Sequence, residues 1–400
     1  MVGDKGRSGR RWALIVLGCA ALALTPALAA CTGGGGTTAQ GGGAATAEEA
    51  PKAPAKVAIA PADGAKDVPP GQEVKVGVTD GTLTEVKLTN NDGKAVAGKL
   101  AEDKKSWVPG EDLGFSKTYT WAGSAVGTDG KPVALAGSFS TVKQGRMINI
   151  TPNVVQGETY GIAMPIGLVF GQDVKDKASV ERALKVTTEP ATEGSWAWTH
   201  NDQVYWRPAE YWKPNTKVTL NAKLYGVSFG GNSFGKESIT RSFGIGRSRI
   251  TVADNQTKHV IVTENGQQVA DYPASLGKEH DRKLVTRNGK YWAMEKHRLK
   301  LMTNLAYEYE NYPAPWAVRM SWNGEFIHAN DSTRGSHGKA NVSHGCINLT
   351  SARAKEFHDA TLIGDPIEVT GAKIDIPTNG SDIWGAPYSN WKALSALGKG

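Results

Sequence analysis

Alternation with a period of two dominates the chain between residues 57 and 250. In Glu73-Val74-Lys75-Val76-Gly77-Val78 every second residue is apolar, the pattern of a half-buried strand. Turn signals such as Asn91-Asp92-Gly93 and Thr128-Asp129-Gly130 cut this pattern into short strands. The pattern also repeats. Trp107-Val108-Pro109-Gly110-Glu111 returns as Trp206-Arg207-Pro208-Ala209-Glu210, an offset of 99 residues. At the same offset, Thr118-Tyr119-Thr120-Trp121 through Gly127 matches Lys217-Val218-Thr219-Leu220 through Gly226. Both units close on a Ser-Phe strand, Ser138-Phe139 and Ser242-Phe243.

Two tandem β-sandwiches of immunoglobulin-like type, 57–145 and 146–247, account for this pattern. No cysteine pair joins their sheets, so side-chain packing must hold them. The tryptophans read most simply as core; the alternative for Trp196, Trp198 or Trp212 is stacking on carbohydrate. Asp176 to Leu184 reads as a short helical interruption of the second unit.

The pattern changes after Ser248. Arg249-Ile250-Thr251-Val252 and Lys258-His259-Val260-Ile261-Val262 read as strands joined at Asp254-Asn255, and Asn265-Gly266 as the turn of a hairpin. From Arg287 to Pro315 the chain is aromatic and irregular, with Tyr291, Trp292, Tyr307, Tyr309 and Tyr312, and Trp316 just beyond. Such an excursion reads as a lid, or equally as a packed surface hairpin. Met320 to His328 returns as strand, Ser351 to Asp359 as a helix with Thr350 or Ser351 as N-cap, and Pro366 to Val369 as a last strand. A third domain, 248–371, and a Trp-bearing extension, 372–400, complete the expected organisation. The fold class is mainly β: two sandwiches, then a β-rich domain with a short helix.

The N-terminus changes the expected compartment. Lys5, Arg7, Arg10 and Arg11 precede an uncharged apolar run, Trp12 to Ala30, the layout of a secretory signal (1–30). The run ends in Leu28-Ala29-Ala30-Cys31, which resembles a bacterial lipobox. That resemblance implies cleavage before Cys31, lipidation of its sulfur, and a membrane-anchored protein facing the cell wall. Residues 31–56, with Gly33 to Gly36, Gly41 to Gly43, Pro51 and Pro54, read as a flexible tether. The formal charge is +7, and the signal carries four of the basic residues and Asp4, so about +4 remains after it. This bias is too small and dispersed to argue for nucleic acid.

Of the three cysteines, Cys19 leaves with the signal and Cys31 is lipidated, so Cys346 has no partner. It lies in Ser343-His344-Gly345-Cys346-Ile347-Asn348, and His328 stands sixteen residues before His344. A lone thiol among histidines outside the cytoplasm points to nucleophilic catalysis, because a nearby imidazole can accept the thiol proton and lower its pKa. Backbone N–H groups of His344, Gly345 and Cys346 are candidates for an oxyanion site. The alternatives are a zinc site from His328, His337, His344 and Cys346, and a non-catalytic wall-binding lipoprotein.

Residues 249–370 resemble the catalytic domain of the L,D-transpeptidases, also called YkuD domains, which remodel peptidoglycan. The family pattern is a histidine, a loop of about fifteen residues, and Ser/Thr-His-Gly-Cys-apolar-Asn. The likeness extends to the actinobacterial members, which add an anchor, two immunoglobulin-like domains and a Trp-bearing tail, matched by Asp382-Ile383-Trp384 and Asn390-Trp391-Lys392. It implies Cys346 as nucleophile and His328 as base, oriented by the carbonyl of Ala329, with His344 shaping the loop; exchange of the two histidines stays open. It implies that Ser343, Gly345 and Asn348 fix the loop, that Asn323, Gly324 and Asn348 lie near substrate, and that no metal or organic cofactor is needed. The partners it implies are donor and acceptor stem peptides, with carbapenems as covalent inhibitors. The reaction it implies is transfer from a donor tetrapeptide, with loss of D-Ala, to a diamino-acid amine, giving a 3→3 crosslink; with water as acceptor the enzyme would be an L,D-carboxypeptidase.

Overall fold

The repeat in sequence is a repeat of strand pairing. A computed structural model describes residues 52–305, 309–378 and 382–398. The expected signal peptide, Cys31 and the tether up to Pro51 lie outside the described residues. In the first unit, strands Lys56–Ala60, Lys75–Thr79, Ser106–Pro109 and Gly98–Leu100 form one sheet in that order. The opposite sheet runs Ala65–Val68, Pro132–Thr141, Thr118–Gly127, Gly81–Asn90. The second unit repeats the first order as Ile150–Pro152, Ile166–Phe170, Gln203–Pro208, Gly194–Trp198. Its opposite sheet is Thr159–Tyr160, Ile239–Ile245, Lys217–Ala222, Leu184–Glu189.

The repeated tryptophan has the same job in both units. Trp107 and Trp206 are buried. A Cβ on Gly98 would sit 1.8 Å from Cζ2 of Trp107, and one on Gly194 1.9 Å from Cζ2 of Trp206. Each indole thus lies flat against a glycine of the neighbouring strand, a place no other residue can fill without displacing the ring. Trp196, Trp198 and Trp212 are buried in the second core, so the carbohydrate-stacking alternative finds no exposed face. The first unit starts before the expected boundary at residue 57: Ala53 N donates to Thr128 Oγ1 at 2.8 Å, and Ala55 is buried. The helical interruption is Lys177–Arg182, capped by Asp176, whose carboxylate accepts from Ser179 N at 3.0 Å.

Two sheets follow. One orders Gln267–Pro273, His259–Glu264, Arg249–Asp254, Pro366–Thr370 and Gly289–Trp292. The other orders Glu295–Asn304, Tyr309–Arg319, Phe326–Ala329 and Ile347–Leu349. Of the two readings of the aromatic excursion, the hairpin is the one observed, Glu295–Asn304 against Tyr309–Arg319. Its alternation is inverted, with Leu299 and Leu301 exposed, and Pro313 and Pro315 sit where only one edge of the strand is paired. Met320–Glu325 is loop rather than strand, since Asn323-Gly324 turns with Gly324 at φ 102°. The helix is Ser351–Ala360 with Thr350 at its N-cap.

The last residues fold back across the molecule. Ile376 packs in the core of the third domain, past the expected boundary at 371. Ile383, Trp384 and Trp391 enter the core of the second sandwich, together with Trp292 and Met294. Trp384 Nε1 donates to Ala163 O at 2.8 Å and Trp391 Nε1 to Ser195 O at 2.9 Å. Arg207 lies among Trp384, Tyr388 and Trp391, its guanidinium 4.8 to 5.5 Å from the rings, and donates to Ala386 O at 2.6 Å. Backbone bonds from Gly161 N to Ile363 O and Ala163 N to Gly364 O tie the second sandwich to the third domain.

Candidate active site

Strand register brings the two halves of the motif together. Phe326–Ala329 and Ile347–Leu349 run parallel, pairing Ile327 with Ile347 and His328 with Asn348. Extending the register one step sets Cys346 beside Phe326. Side chains on a strand alternate faces, so Cys346, His328 and Asn348 share one face.

His328 is buried, and its Nδ1 lies 2.9 Å from Ala329 O. A carbonyl only accepts, so Nδ1 carries the proton and Nε2 presents its lone pair. Burial holds the His328 pKa below its ordinary 6.5, which keeps the ring neutral at pH 7. Cys346 is a free thiol on the wall of two cavities. Burial pushes its pKa up to about 12; a hydrogen bond with the Phe326 backbone lowers it, and the nearby Glu325 charge adds to the rise. Burial works against the charged form of each group, so the surroundings do not favour a thiolate–imidazolium pair. The same burial leaves His328 best suited to act as a neutral base.

The loop carrying Cys346 is fixed from two sides. Ser343 Oγ donates to Cys346 O at 2.5 Å and accepts from Gly345 N at 3.1 Å. Gly345 N–H is thus engaged within the loop, which removes it from the expected oxyanion donors. Thr286 Oγ1 donates to Gly345 O at 2.8 Å and accepts from Gly277 N at 2.8 Å. Gly345 O and Cys346 N–H belong to one planar peptide, so anchoring the carbonyl aims the amide the opposite way. Gly345 itself has φ 121°, a region that favours glycine. Asn348 is buried and donates from Nδ2 to Thr333 Oγ1 at 3.3 Å.

One cavity, about 250 Å³, is lined by Met302 and Tyr312 of the hairpin with His328, Val342, Cys346 and Asn348. The other, about 330 Å³, is lined by Lys283, Arg287, Asn323, Gly324, Glu325 and Asn304. Cys346 and His344 border both. His344 is exposed, and partial burial and Lys278 lower its pKa. The zinc alternative lacks its cluster: no grouping of three His, Cys, Asp or Glu with metal-binding geometry occurs among the described residues. His337 instead meets Thr333 Oγ1 through Nε2 at 3.1 Å. Sequence reasoning missed Thr286, Thr333, Lys283, Arg287 and Glu325. Only Glu325 left a signal, a charge at the start of an otherwise apolar segment.

Comparison with known proteins defines the class first. Residues 247–369 match the L,D-transpeptidase catalytic domain, YkuD, and residues 65–228 match a bacterial Ig domain, a single match that runs across both sandwiches. The chain is 40% identical to L,D-transpeptidase 5 of Mycobacterium tuberculosis over 400 residues, 98% of this chain and 87% of that protein. It is 33% identical to L,D-transpeptidase 2 of the same species over 344 residues, 84% of this chain and 83% of that one. It also resembles the solved LD transpeptidase LdtMt1 in complex with imipenem, at 32% identity and a TM-score of 0.48, covering 56% of this chain and 99% of that one. The chain belongs to the L,D-transpeptidase family, and peptidoglycan L,D-transpeptidation is its activity.

Proposed function

We propose that the reaction runs through a thioester on Cys346 with His328 as the shuttling base. The observation that carries this reading is a thiol bordering two cavities beside an imidazole whose Nδ1 is committed to Ala329 O. His328 Nε2 takes the thiol proton as Sγ attacks the L-centre carbonyl of the donor tetrapeptide. A C–S bond forms, and the oxyanion is held by the Cys346 amide, with His344 N–H as second donor. The C–N bond to D-Ala then breaks, and His328 returns the proton to the departing amine. The acceptor amine reaches the thioester from the opposite cavity, forms the new C–N bond and releases Cys346. Because the thiol is neutral at rest, proton transfer accompanies attack rather than preceding it.

In this reading Ser343 and Gly345 shape the loop, and Asn323, Gly324 and Asn348 line the substrate path. Carbapenems acylate Cys346. Cleavage before Cys31 and lipidation of its sulfur hold the enzyme on the outer face of the membrane. Intact-mass analysis with a carbapenem tests the nucleophile: one adduct on the native protein and none on Cys346→Ala is expected. An adduct that persists in Cys346→Ala would sink the assignment. A mass increase equal to a diacylglycerol group on the processed chain, lost in Cys31→Ala, tests the anchor.

A further inference from the structure

We propose that Glu325 is the acceptor-binding residue, its carboxylate holding the primary ammonium of the incoming amine beside Cys346. This rests on the transpeptidase reading above and deepens it. Glu325 is 8% exposed and lines the polar cavity that Cys346 and His344 border. Its side chain is held in place. Asn323 Nδ2 donates to Oε1 at 2.8 Å, Ser321 Oγ bonds Oε2, and its Cγ lies 3.4 Å from where a Cβ on Gly345 would stand. Both donors are neutral, and no Lys, Arg or His forms an ion pair with Glu325 among the described residues. Buried carboxylates are normally paired with a cation. Here the cation arrives with the substrate.

The charge is a handicap for the first half-reaction, because it opposes ionisation of the neighbouring thiol. Its use therefore falls in the second. A side-chain amine with an ordinary pKa of about 10.4 reaches the site as ammonium and must lose two protons to become an amide. Glu325 takes the first. The freed lone pair attacks the thioester carbonyl, the C–N bond forms and the C–S bond breaks. His328 takes the second proton and passes it to the Cys346 thiolate, while Glu325 releases its own to solvent. Lys283 and Arg287 line the same cavity and suit the carboxylate that a diamino acid carries next to its amine. Water gains nothing from such a site, so Glu325 biases the thioester toward crosslinking over hydrolysis.

The test uses the full-length protein with a tetrapeptide stem as donor and acceptor, and hydroxylamine as a neutral competing nucleophile. Glu325→Gln should raise the KM for the acceptor stem and lower the ratio of crosslinked dimer to hydrolysed tripeptide at least about tenfold, the cost of a lost charged hydrogen bond. The ratio of hydroxamate to hydrolysed tripeptide should stay within about twofold, because hydroxylamine carries no charge for the carboxylate to hold. An unchanged dimer ratio, or equal loss of dimer and hydroxamate, overturns the inference. Glu325→Met, similar in volume, serves the same comparison if the Gln variant does not fold. A native protein that neither releases D-Ala nor takes a carbapenem adduct would instead sink the underlying reading.

Discussion

Around Cys346 and His328 the surroundings work against charge on either group. With the thiol raised to about 12 and the imidazole lowered, the proposed mechanism starts from the neutral pair. A lowered histidine pKa means that the neutral base prevails above that value and is lost as pH falls through it. Carbapenem acylation should therefore be flat from pH 7 to 9, with no thiolate-driven rise, and should fall only below the ordinary histidine range. A rate climbing steadily from pH 7 to 9 in stopped-flow or intact-mass kinetics would contradict this. Thr286 acts one bond further out. Thr286→Val removes the donor to Gly345 O and leaves that carbonyl and Gly277 N without their partner. A buried polar group left without its partner costs about 1–3 kcal/mol; if the Cys346 amide loses its aim to that extent, acylation slows about tenfold or more. Circular dichroism would show the fold retained. Cys346 and His328 were legible in sequence because the motif is local or nearly so. Thr286 was not, because its partners come from Gly277 and Gly345, which only the folded sheet brings together.

Among the elements, the two sandwiches were legible because alternation and a repeated W-x-P-x-E segment both survive in the sequence. The glycine beneath each tryptophan makes that repeat testable. Gly98→Ala and Gly194→Ala each drive a methyl group into an indole, and overpacking of this kind costs roughly 1–3 kcal/mol. The consequences should differ. The first sandwich has its own core, whereas the second shares one with Trp292 and Met294 of the third domain. Gly98→Ala should lower the melting temperature of the first sandwich and leave acylation alone; Gly194→Ala should lower both stability and acylation rate. Equal acylation in the two variants would argue against mechanical continuity between second sandwich and active site. The hairpin over the apolar cavity was one of two readings of that segment, and the sequence did not choose between them because Leu299 and Leu301 face outward and prolines lie in the second strand. Its prolines are tolerated because the neighbouring strand Phe326–Ala329 pairs only with Val318 and Arg319.

Across the whole molecule, the C-terminal segment determines how firmly the catalytic domain is mounted. Arg207 is desolvated enough that burial lowers its pKa to about 10, and it is compensated by three aromatic faces and the carbonyls of Pro208, Ala209 and Ala386. Arg207→Ala should cost on the order of 2 kcal/mol or more, the scale of a desolvated cation–π site. Amide exchange should accelerate first at Trp384 to Trp391. Protection there equal to that of the native protein would show that the arginine is dispensable. The sequence displayed the tryptophans of this tail but not their destination, since the pairings of Trp384 with Ala163 and Trp391 with Ser195 span 221 and 196 residues.

That return of the tail has a consequence for the order of synthesis. The second sandwich is translated well before residue 383, yet its core lacks Ile383, Trp384 and Trp391 until that segment has been made. The middle of the molecule therefore closes only after Trp391 has been made. A chain interrupted after the catalytic motif would possess every reacting group and still leave the apolar interior of the second sandwich open to water, which makes a prematurely terminated product a ready target for proteolysis. The interior of the second sandwich thus registers whether synthesis has passed Trp391.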